Sequence, residues 1–235
     1  MIDMKIINYS FTLLIILIIS CGQADRKANT KDEIKYDEKP LTAPTEILTA
    51  AENYNNGYMA FQSNNYNKAI EFYRKAILLD PNFIDAYDNC GLSYRRLGNL
   101  DSAAYFYKAS IKIDPTAVIA HGNLAIVYSE KGDLENAIKE YEEISKYHPN
   151  DPEASYGIAG IYLHSKQYDK ALISAKKSAE LFEKYAPEYV GDAYYYVGLS
   201  YFKLNDKKNA IKFMQKAIQK GTQVPKDILS ELGLK

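Results

Sequence analysis

Tryptophan is absent from the 235 residues, cysteine occurs twice and histidine three times. The histidines, His121, His148 and His164, include no pair spaced four apart, and there is no CxxC. A metal site therefore has no ligand set. The chain also lacks a glycine-rich phosphate loop and a GxSxG nucleophile turn. The carboxylate pair Glu142-Glu143 falls on a predicted helix, where a solvated face is its ordinary role. No catalytic constellation remains, so the expectation is a chain that is not an enzyme and has no metal, cofactor or small-molecule substrate. An excess of charge of either sign is missing too: 29 basic residues face 30 acidic ones. That balance provides no basic field to gather nucleic acid. No apolar run reaches the ~20 residues needed to cross a bilayer.

What is present begins at the N-terminus. Lys5 supplies a positive charge and residues 11–19 read FTLLIILII, the arrangement of a signal peptide. The run ends in Ile18-Ile19-Ser20-Cys21. An aliphatic residue, a small residue and then cysteine resembles the bacterial lipobox, in which the cysteine is diacylated before cleavage. The resemblance implies a signal peptide over 1–20 and a lipid-bearing Cys21, with two or three acyl chains giving stable anchoring. Residues 21–48 mix both charge signs, carry two prolines and offer little to bury, so they read as a flexible tether reaching roughly 30 Å.

Beyond the tether the sequence repeats itself. NKAIEFYRKAILLDP, DSAAYFYKASIKIDP and ENAIKEYEEISKYHP share a pattern, with Ala69, Ala103, Ala137 and Ala171 each 34 residues apart and Ala210 at 39 more. Five units result, near 50–83, 84–117, 118–151, 152–190 and 191–222. Within each unit, position 8 is Gly57, Gly91, Ala125, Ala159 or Gly198, and position 20 is always alanine. Prolines 81, 115 and 149 stop the second helix of the first three units. This pattern resembles the tetratricopeptide repeat. The resemblance implies an all-α solenoid of five helix-turn-helix units. Asn64, Gly98, Gly132 and Asn205 suit the left-handed residue that closes the first helix of four of them. VPKDILSELGL, over 224–234, reads as a helix covering the last open core.

The resemblance further implies a concave face lined by positions 2, 5, 6, 9, 12 and 13 of each first helix, with position 7 turned to the core. Cys90 is at position 7 and reads as a small buried hydrophobe. Asn55, Asn89 and Asn123 recur at position 6, a ladder of amides able to pair with the main chain of an extended peptide. Tyr54, Tyr156 and Tyr195 at position 5, Tyr58 at position 9 and Tyr196 at position 6 are expected as aromatic anchors. Arg95 and Arg96 are expected as a cationic spot for a carboxylate. The expected function is that of a membrane-anchored scaffold in the bacterial cell envelope, binding a protein or extended peptide in this groove. An adaptor that brings an envelope protease or cell-wall hydrolase to its substrate is the alternative.

Overall fold

A computed structural model of the protein describes residues 48–234; Cys21, the signal-like segment 1–20 and the tether up to residue 47 lie outside the described residues. Eleven helices occur among the described residues. They pair as α1 (Ala50–Gln62) with α2 (Tyr66–Leu79), α3 (Ile84–Arg96) with α4 (Leu100–Ile113), and α5 (Val118–Glu130) with α6 (Leu134–Tyr147). Then come α7 (Pro152–His164) with α8 (Tyr168–Tyr185), α9 (Val190–Lys203) with α10 (Lys207–Gln219), and finally α11 (Lys226–Leu232). Each helix packs on the next in sequence, and first helices of successive units also touch: α1 with α3, α3 with α5, α7 with α9. This is an all-α solenoid.

Local chemistry sets these boundaries. Residue 15 of every unit adopts positive φ: Asn64 at 58°, Gly98 at 75°, Gly132 at 80°, Lys166 at 59° and Asn205 at 62°. Lys166 therefore enters the left-handed region like the others, against its side-chain preference. The next residue caps the second helix. Asn65, Asn99, Asp133 and Asp206 each accept a hydrogen bond from a backbone N–H of the first turn. Gln167 makes no such bond. The extra residues of the fourth unit lengthen α8 to 18 residues, and it ends at Tyr185, just before Ala186-Pro187.

Helix pairs approach closely where glycine meets a ring. A Cβ on Gly57 would lie 2.7 Å from the Tyr73 ring, and one on Gly91 would lie 2.9 Å from Tyr107. The core is consequently a string of local clusters. Ala60, Ile70, Tyr73, Cys90 and Phe106 join units 1 and 2, while Ala125, Tyr141, Ile144, Ala154 and Ile161 join units 3 and 4. Ile228 and Leu232 of α11 close the far end against Ala210 and Met214. Cys90 is fully buried, and burial pushes its thiol well up, away from the reactive thiolate.

Candidate binding face

The first helices lie side by side, so residues at fixed positions meet their counterparts one unit along. The Tyr54 hydroxyl, at position 5 of unit 1, accepts a hydrogen bond from Asn89 Nδ2, at position 6 of unit 2, at 3.1 Å. Position 5 of unit 4, Tyr156, stacks on position 6 of unit 5, Tyr196, with ring centroids 4.4 Å apart and planes 5° from parallel. The first-helix face is thus built of rungs, each made by position 5 of one unit and position 6 of the next.

Several residues expected to be open are used internally. Asn89 is half-buried, and its amide nitrogen also donates to the Asp85 carbonyl at 2.9 Å. A carbonyl can only accept, so the nitrogen must face it, and only the Asn89 amide oxygen remains available. Tyr156 and Tyr196 are 8% and 4% exposed; stacked on each other, they are packing residues and not open anchors. Tyr195 is half-buried and packs into the terminal cluster with Met214 and Ile228. Tyr54 is half-buried beneath Tyr73 and Phe83, with centroids at 5.6 and 5.0 Å, and burial raises its hydroxyl pKa.

Arg95 departs most from expectation. Only 8% of it is exposed, and its guanidinium lies 3.4 Å from the Glu130 carboxylate, position 12 of one unit tied to position 13 of the next. It forms an internal ion pair and is not a free cation for a carboxylate ligand. Arg96, one residue on, is exposed.

Besides Arg96, three of the expected residues remain available. Asn55 is exposed, Asn123 is half-buried, and neither side chain has a hydrogen-bond partner among the described residues; Tyr58 is 40% exposed. The asparagine ladder ends at unit 4 for a visible reason. Position 6 there is Gly157, and a Cβ on it would stand 2.2 Å from Tyr141 Cζ. Tyr141 is 5% exposed and fills the place an asparagine would need. Its counterparts Tyr73 and Tyr107 sit against glycine at position 8 of their own units, whereas unit 3 has Ala125 there.

Sequence reasoning missed the buried polar atoms behind this face. Asp88, at position 5 of unit 2, is 7% exposed, has no ion pair among the described residues, and its Oδ1 has no hydrogen bond. Burial, against the opposing effect of the Ser110 hydroxyl and with a smaller contribution from the charge of Asp85, pushes its carboxyl up to about 6. The Tyr107 hydroxyl is fully buried, lacks a hydrogen-bond partner and lies near enough to feel the Asp88 charge. The recurrence of tyrosine at 73, 107 and 141 was the one sequence signal pointing here.

Among the described residues, no group of three His, Cys, Asp or Glu side chains is placed to hold a metal ion. The fold and this face define a helical-repeat protein. Tetratricopeptide-repeat family models match residues 57–98, 94–151, 129–189 and 192–220, which together take in most of the described residues. The chain belongs to the tetratricopeptide repeat proteins.

Solved structures share the fold at low identity. A crystal structure of MamA aligns with a TM-score of 0.60 at 22% identity, over 70% of this chain and 94% of that one. MamA residues 41 to the end from Desulfovibrio magneticus RS-1 align with a TM-score of 0.61 at 17% identity, over 73% and 94%. YrrB, described as a tetratricopeptide-repeat protein with an unusual peptide-binding site, aligns with a TM-score of 0.57 at 20% identity, over 78% and 91%. Comparison with curated proteins gives no match.

Proposed function

We propose that this protein is a lipid-anchored interaction scaffold of the bacterial cell envelope that holds an extended segment of a partner protein against its first-helix face. The observation that carries the reading is the pair of amides, Asn55 and Asn123, left without internal partners at equivalent positions of that face. A carboxamide both donates and accepts, so each can hold one peptide unit of a partner whatever its side chains. At about 1 kcal/mol net per hydrogen bond, less the cost of ordering the partner, amides alone support affinities near the micromolar range. The peptide-binding site described for YrrB, which has the same fold, agrees with this reading. The anchoring half rests on the sequence over residues 5–21, where charge, apolar run and lipobox-like Ile-Ile-Ser-Cys follow in order.

The test has two arms. A photo-crosslinking amino acid at position 55 or 123 captures a partner in cells, while the same group at exposed Glu142, on a second helix, does not. Equal capture from all three positions overturns the choice of face. Replacing Cys21 with alanine abolishes metabolic acyl labelling; labelling that persists overturns the anchor.

A further inference from the structure

The face has four rungs, and three are filled from within. Between units 1 and 2, Asn89 holds the Tyr54 hydroxyl. Between units 4 and 5, Tyr156 stacks on Tyr196. Between units 3 and 4 the rung residues are Gly122 and Gly157, and the Tyr141 ring occupies the space at Gly157. The remaining rung, between α3 and α5, consists by the same register of Asp88 and Asn123. Here Asp88 is 7% exposed and makes no ion pair among the described residues, and Asn123 is half-buried with no side-chain hydrogen-bond partner among them.

In sequence, Asp88 is flanked by two acceptors. Asp85, exposed one turn before Asp88, adds a second carboxylate. Asn89 has spent its amide nitrogen on Tyr54 and the Asp85 carbonyl and offers only its oxygen. The nearest buried cation, Arg95, is tied to Glu130. Behind Asp88 the Tyr107 hydroxyl is buried without a hydrogen-bond partner, and the Ser110 hydroxyl stands close enough to favour the carboxylate but offsets only part of the cost of burying it. A buried carboxylate without an ion-pair partner costs free energy, and what offsets that cost is a cation bringing several N–H donors and no acceptor.

We propose that the Asp88–Asn123 rung seats the lysine or arginine side chain of an extended partner segment, the ammonium or guanidinium pairing with Asp88 while Asn123 holds the neighbouring main chain. This rests on the reading that the first-helix face binds protein, and it adds to that reading the chemistry of the occupant. Arg96, exposed on the same turn as Arg95, favours an acidic residue a few positions along the same segment.

The experiment is an NMR titration of the full-length protein in detergent with short, end-capped alanine peptides that differ only in a central lysine, norleucine or glutamate. The lysine peptide shifts the Asp88, Asn89 and Asn123 resonances and binds about tenfold more tightly than the norleucine peptide, a difference of about 1.4 kcal/mol and the low end of what a hydrogen bond to a charged group contributes. Asp88→Asn removes that preference without weakening the norleucine peptide. Asn123→Ala weakens both peptides alike. Equal binding of all three peptides at this face overturns the cation seat and leaves the protein-binding reading standing. Shifts confined to other surfaces overturn both.

Discussion

Replacing Asp88 with asparagine tests the energetics of the open rung in the absence of any partner. The side chain keeps its shape and loses only the ability to ionise. Burial raises this carboxyl from 3.8 to about 6. The folded state therefore binds the proton more tightly than the unfolded chain does. The stability from this group is fully present below about pH 4 and is lost as pH rises through about 6. The difference between those two values corresponds to about 3 kcal/mol, and local relaxation leaves an expected gain of roughly 1–3 kcal/mol for Asp88→Asn near neutral pH. The assay is urea unfolding followed by far-ultraviolet circular dichroism, with wild type and variant compared in steps from about pH 4 to about pH 7.5. The two curves coincide at the acid end and separate as pH rises, the variant being the more stable, with unchanged dependence on urea. Other titrating groups are common to both proteins and drop out of the difference. A variant that is equally or less stable at neutral pH refutes the reasoning, because the carboxylate would then have an internal partner. The cation seat would lose its premise with it. A residue whose removal stabilises the fold while abolishing discrimination between ligands has been retained for what it binds.

Two further substitutions probe the scaffold around the face. Gly157→Ala puts a methyl 2.2 Å from Tyr141 Cζ and is expected to cost about 1–3 kcal/mol, whereas Gly160→Ala, whose Cβ would lie 3.4 Å from the Tyr196 hydroxyl, is neutral or slightly stabilising through helix propensity; thermal unfolding distinguishes them, and equal midpoints would show that the Tyr141 ring yields. His121 is 5% exposed, with Nδ1 2.7 Å from the Glu140 carboxylate and Nε2 3.0 Å from the Pro115 carbonyl. Burial works against its charge, but these two acceptors outweigh it and raise its pKa. That stability is complete below its ordinary value of about 6.5 and is lost as pH climbs through the raised folded value. His121→Gln accordingly costs more near pH 6 than near pH 8.5, by urea unfolding, and a cost independent of pH would mean the ring is neutral in the fold.

The parts of this molecule that were legible in its sequence are those that repeat. Alanine at 69, 103, 137, 171 and 210 fixes the phase, and once the phase is known, position 15 marks each turn and position 7 sends Cys90 to the core. Even Lys166 obeys, because the geometry of the unit overrides the preference of one residue. The face was harder to read because its contacts run between units, and a register within one unit cannot say whether a side chain reaches the next. Arg95 and Tyr156 occupy groove positions in the sequence, yet each is consumed by a residue 35 or 40 positions on, Glu130 or Tyr196. The same offset of one unit plus one residue links Tyr54 to Asn89. Applied along the chain, the offset turns a ladder of equivalent asparagines into unequal rungs. Asn89 is spent, Gly157 yields to a tyrosine, and Asn123 stands opposite an acid. In the proposed binding mode, selectivity for a partner arises from that inequality, because a face of identical amides would hold any main chain equally well, and one carboxylate without an ion pair among them gives the partner a single register in which to bind.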